Sequence, residues 1–125
     1  MKLNEIRKEI VAIRGAIQIG DDSADEIREG TLKLIKKIFV DNLIGANDVI
    51  SCFFTMSSDL TADLPPLILL EAGIHIPSLC TSEHQTKYFI PKVIRILLLV
   101  HWKKINKEPQ HVYFTGISPN RPSFI

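Results

Sequence analysis

The chain has 125 residues, 46% of them hydrophobic and 23% charged, with a formal net charge of +1. That length suits a single domain over residues 1–125 with a core of its own, and the composition excludes wholesale disorder. A near-neutral field gives no electrostatic case for nucleic acid or a charged membrane surface, and no apolar run reaches the roughly 18 residues a membrane span needs.

The opening MKLNEIRKEI alternates charge with aliphatics and lacks the apolar core of a secretory leader, so a cytoplasmic location is expected. Cys52 and Cys80 fit no C-x-x-C pattern and read as reduced thiols. From Glu9 to Ile19, Val11, Ile13, Ile17 and Ile19 recur two or four apart, which predicts a strand. Arg14 lies inside it, and Gly15 permits a bulge or a close approach. Ser23 and Glu26 form a capping box that opens a long amphipathic helix to about Asp41. Val49 to Met56 is rich in strand formers. After Asp63, two prolines start a short apolar helix that stops at Gly73. Ile74 to Leu79 predicts a brief strand delivering Cys80 and Glu83 into a loop. Lys92 to about His101 predicts the central strand, and His111 to Phe114 the last one. This order suggests α+β, a sheet covered on one face by one long helix.

Arg95 stands in a run of aliphatics, sharing a strand face with Val93, Leu97 and Leu99 while Ile94, Ile96, Leu98 and Val100 line the other. A guanidinium there is expensive unless an anion meets it. Either it faces water or pairs with a structural carboxylate, or it floors a cleft that takes an anionic ligand. An internally paired Arg95 needs a protein carboxylate beside it. Arg14, Arg95, Arg121 and the Tyr113 hydroxyl, if they converge, make a pocket for a small polycarboxylate, with Glu83 and Cys80 placed for a hydroxyl on the same molecule. Phosphate-loop, nucleophile-elbow and zinc spacings are missing, and Cys80 with His75 and His84 lacks a metal-ligand pattern.

Several short motifs occur together: Ile13-Arg14-Gly15-Ala16, Ser58-Asp59-Leu60 with Pro65, Pro77-x-x-Cys80-x-x-Glu83, Ile94-Arg95, His111-Val112-Tyr113 and Arg121-Pro122. In this order, from about Val11 to Pro122, the sequence resembles the AroH-class chorismate mutases, the small trimeric kind. The resemblance implies a mixed β-sheet packed against one long α-helix, three subunits forming a pseudo-α/β-barrel, and active sites between neighbours. It implies rearrangement of chorismate to prephenate without cofactor, metal or covalent intermediate. On that reading Arg95 meets the ether oxygen, Arg14 and Tyr113 hold the side-chain carboxylate, and Glu83 and Cys80 bind the ring hydroxyl. Arg121 helps cover the cleft, and Leu79 lines it. Where the family commonly has an aromatic, a lysine and an arginine, this chain has Leu64, Leu67 and Leu70. The competing expectation is a non-catalytic trimer of the same fold that binds a small carboxylate.

Overall fold

Alternation of buried and exposed residues in a strand gives each strand two unlike faces, and this sheet uses both. The computed structural model describes residues 9–114. Its strands are β1 (Ile10–Gln18), β2 (Val49–Met56), β3 (Ser78–Ser82), β4 (Val93–His101) and β5 (Val112–Tyr113), with helices α1 (Ala24–Asn42) and α2 (Pro65–Glu71). The sheet order is β3-β2-β4-β1-β5. The central β4 runs antiparallel to β1 and β2, while the outer pairs β2–β3 and β1–β5 are parallel. Among the described residues no helix is long and apolar enough to cross a membrane.

One sheet face is the core. Ile13, Phe54, Ile94, Ile96 and Leu98 meet Ile27, Leu34, Ile35 and Ile38 of α1, and Ile68 and Leu69 of α2 join the same cluster. Ser23 caps α1 as expected, its hydroxyl accepting the Glu26 N–H at 3.1 Å. Gly15 serves close approach rather than a bulge. Its pairing with Ile96 is regular, and a Cβ there would meet Leu34 and Ile38 at 3.0 Å.

The β3 strand lies further along the chain than the sequence suggests. The Ile74 N–H bonds back to the Leu69 carbonyl at 2.9 Å and closes the end of α2 beyond Gly73, whose φ is 78°. Pro77 has no N–H to give, although its carbonyl accepts Cys52 N–H at 2.9 Å, so the strand begins at Ser78. Cys80 is therefore inside a strand rather than in a loop beyond one.

A carboxylate clasps the loop ahead of α2. Asp22 accepts the Thr61 N–H at 2.9 Å, the Thr61 hydroxyl at 2.7 Å and the Ala62 N–H at 3.0 Å. The Thr61 bonds hold the Asp22 carboxyl below its ordinary value. A depressed folded-state value means the clasp stabilises fully above the unfolded carboxyl pKa of about 3.9, and that contribution fades as pH falls through the lower folded value. Asp22→Asn should lower Tm at pH 7, and the gap to wild type should narrow as scans move below the unfolded carboxyl value. A gap independent of pH would mean that charge has no part in the clasp.

Candidate active site

Among the described residues no helix covers the second sheet face, and register decides what stands on it. Thr81, Thr55, Arg95, Ala16 and Tyr113 are directly opposite one another across β3, β2, β4, β1 and β5. Two residues along, Leu79, Phe53, Leu97 and Arg14 form a parallel row. Directly opposed residues share a face, so both rows project away from the helices. They floor a cleft of about 400 Å³ lined by Arg14, Phe53, Thr55, Arg95, Leu97 and Tyr113 among others.

The ends of β2 and β4 are pinned together, which fixes Thr55 against Arg95. Ser57 N–H donates to the Val93 carbonyl, the Ser57 hydroxyl accepts Val93 N–H, both at 2.9 Å, and both Asp59 oxygens accept the Lys92 N–H. Asp59 thus has a structural part, holding Lys92 at a φ of 56° where the chain enters β4.

Arg95 does have a protein carboxylate beside it. Its Nε donates to Glu83 Oε1 at 3.3 Å, and Glu83 itself is set by its N–H on the Met56 carbonyl at 2.8 Å. Pairing alone therefore does not separate a structural arginine from a ligand-binding one; geometry does. The bond is single and longer than the 2.7–2.9 Å usual for charge-assisted pairs, and the side chains are 31% and 30% exposed. Such a half-wet pair contributes about 0–1 kcal/mol. Among the described residues no other carboxylate bonds Arg95, and the bond to Glu83 uses Nε rather than the Nη edge.

Unmet hydrogen-bonding capacity marks the same place. Of the four buried side-chain polar atoms without a partner among the described residues, three flank this cleft: Glu83 Oε2, Thr55 Oγ1 and the Tyr113 hydroxyl. Native interiors leave few such atoms, and a cluster of them beside two arginines has the form of a polar binding site.

On the far side of the floor, the backbone N–H of Arg14 donates to His111 Nδ1 at 3.0 Å, and Phe114 N–H donates to the Ala16 carbonyl at 2.9 Å. Burial, and then the Arg14 charge, hold the His111 pKa below its ordinary value, which keeps Nδ1 an acceptor near neutral pH. The segment before β5 is anchored on α1, where Asn42 Oδ1 accepts the Gln110 N–H at 2.7 Å and its Nδ2 donates to the Gln110 carbonyl. This fixes Tyr113 beside Ala16.

One chain thus brings Arg14, Arg95, Glu83 and Tyr113 together, with Leu79 at the exposed edge of the same face. It does not bring Cys80 to them. Cys80 opposes Phe54, so alternation turns it to the core side, where it packs against the apolar cluster. Burial pushes its thiol up, and pushes Cys52 up to about 12, so neither resembles an activated nucleophile. Leu64, Leu67 and Leu70 belong to the α2 region, whose Ile68 and Leu69 are in the core, and all three point outward and are exposed. Arg121 lies outside the described residues. Phe53 and Thr55 were not legible as site residues in the sequence. The available signal was a threonine two residues after a phenylalanine in an otherwise apolar strand, and it gains meaning only once Thr55 is registered against Arg95.

The family model for chorismate mutase type I matches residues 10–124. The chain belongs to that family. A chorismate mutase AroH of Thermus thermophilus is 30% identical over 112 residues, covering 88% of this chain and 92% of the relative. Chorismate mutase AroH of Bacillus subtilis strain 168 is 28% identical over 115 residues, covering 90% and 91%. A solved chorismate mutase structure from Clostridium thermocellum superposes with a TM-score of 0.79 at 34% identity, covering 85% of this chain and 96% of that one. The mixed sheet on a long helix is thus the fold of a type I chorismate mutase, as the resemblance in the sequence implied.

Proposed function

We propose that this chain is a chorismate mutase, an isomerase converting chorismate to prephenate in aromatic amino-acid biosynthesis, with Arg95 as its principal catalytic group. The observation that carries the role of Arg95 is its half-buried guanidinium on the cleft floor, tethered by one loose bond to Glu83 beside partnerless polar atoms. The reaction is an intramolecular shift in which the ether C–O bond breaks ahead of C–C bond formation. Negative charge grows on the ether oxygen, and a fixed cation there binds the transition state better than the substrate. Arg14 and Tyr113 would hold the side-chain carboxylate and select the compact conformer in which the reacting carbons meet. Glu83 Oε2, an acceptor with no partner among the described residues, would accept a hydrogen bond from the ring hydroxyl. The rearrangement is redox-neutral and conserves every atom, so it asks for no cofactor. An acceleration of about a millionfold corresponds to roughly 8 kcal/mol, within reach of one well-placed cation plus conformer selection.

The working unit in this reading is a homotrimer with the cleft closed by a neighbour. Phe53, Leu79 and Leu97 are exposed on the open face, as are Leu64 just ahead of α2 and Leu67 and Leu70 on it. In this reading a neighbouring subunit covers these apolar side chains. A second subunit's α2 region would then bring Leu64 and Leu67 to the cleft from the other side. Arg121 would contribute from the tail. The unpaired thiols suit a cytoplasmic enzyme.

Cys80 is not a nucleophile in this reading, since its side chain is on the core side of β3. Cys80→Ser should keep kcat/KM within about tenfold of wild type, a difference of 1.4 kcal/mol or less. Near-total loss would point to covalent chemistry.

The α2 leucines favour one other reading, a trimer of this fold that binds a small carboxylate without turning it over. Lacking two cations near the cleft, the chain should show a raised KM for a dianion more than a lowered kcat. Loss of chorismate absorbance with the purified chain decides between the two. Conversion well above the spontaneous rate supports the enzyme, and the spontaneous rate alone supports the binder.

A further inference from the structure

Thr55 has no part in the function proposed above, yet its hydroxyl is one of the three partnerless buried polar atoms at the cleft. The sheet fixes its place closely. It is directly opposite Arg95 on β4 and directly opposite Thr81 on β3. Glu83 comes two residues after Thr81 and bonds by its N–H to Met56, the residue after Thr55. Thr55 therefore lies on the strand between β4, which carries Arg95, and β3, which leads into Glu83. Valine would fill the same space on a strand and leave no polar atom to satisfy, so the feature that asks for a reason is the hydroxyl.

The chemistry of the neighbouring unpartnered atom supplies one. An ionised carboxylate only accepts hydrogen bonds, and Glu83 Oε2 has none, while a threonine hydroxyl both donates and accepts. Neither atom bonds the other in this structure, but the terminal torsion of a glutamate is broad, and the 3.3 Å bond from Arg95 Nε to Oε1 leaves the carboxylate room to turn and bring Oε2 toward β2. Tyr113, the third unpartnered group, is on the other side of Arg95, beyond Ala16.

We propose that Thr55 is a positioning residue for the Glu83–Arg95 pair: its O–H donates to Glu83 Oε2, which holds Oε1 on Arg95 Nε and keeps the Nη edge of the guanidinium turned into the cleft. Thr55 acts through Glu83 and has no required contact with substrate. The inference rests on the cleft being the chorismate site.

The test is steady-state kinetics of the full chain with chorismate for wild type, Thr55→Val, Thr55→Ser, Glu83→Gln and the Thr55→Val/Glu83→Gln double variant. Thr55→Val should lose about tenfold in kcat, the scale of one hydrogen bond to a charged group, with KM nearly unchanged. Thr55→Ser, which keeps the hydroxyl, should return kcat to near the wild-type value. In the Glu83→Gln background the valine should cost little more, because the path it interrupts is already weakened. Wild-type kcat in Thr55→Val, failure of serine to rescue, or a full additive loss in the double variant would each overturn the positioning role while leaving the function standing. A wild type that does not convert chorismate would overturn the functional reading, and this inference with it.

Discussion

Arg95→Ala should lower kcat by at least about a thousandfold, with Tm and far-UV circular dichroism close to wild type. Removing one neutral oxyanion donor typically costs about 10²–10³ in rate, and the guanidinium brings a full charge to the same task. The fold should survive because β4 packs through its other face. Ile94, Ile96, Leu98 and Val100 are buried among the helices and are untouched by truncation at 95. The lost pair with Glu83 is half-wet and contributes little. Arg95→Lys should remain poor, since a flexible ammonium cannot hold Glu83 with one edge and a substrate oxygen with another. If Arg95→Ala instead unfolded the chain, the arginine would be structural and its pairing with Glu83 its main purpose.

Glu83→Ala should reduce kcat/KM by at least about a hundredfold, on the scale of losing hydrogen bonds to a charged group twice over. One loss is the tether on Arg95 Nε, without which the guanidinium is free to leave the direction of the ether oxygen. The other is the acceptor at Oε2. Glu83→Gln should be milder, because an amide oxygen still accepts from Nε. Equal damage from both substitutions would mean that the negative charge itself, rather than the acceptor geometry, is what the site requires. Kinetics of the two variants side by side separate these cases.

Much of this was legible in the sequence, and the reasons differ by element. The strand β1, the helix α1 and the strand β4 announce themselves through periodicity and a capping box, and each is long enough for the pattern to be unambiguous. Arg95 was visible because a charge inside an aliphatic strand is anomalous. Its neighbour Glu83 stood out less, since a loop carboxylate has no pattern of its own, and the resemblance gave it a role. The strand β3 was misplaced because a helix-closing bond at Ile74 and the missing N–H of Pro77 delay pairing to Ser78. That shift matters for Cys80. The sequence suggests a loop position for Cys80, with its thiol placed for a ligand hydroxyl, whereas a strand position opposite Phe54 sends it to the other face. Thr55 was illegible for a related reason: only the register between β2 and β4 sets it against Arg95.

The central claim is that this cleft favours a transition state over its ground states. Competitive inhibition of the wild type by a bicyclic dianion shaped like the transition state, set against prephenate, measures that most directly. The account predicts binding at least about a hundredfold tighter for the bicyclic compound. Equal affinity for the two would contradict it and mark the cleft as a carboxylate-binding site without catalysis.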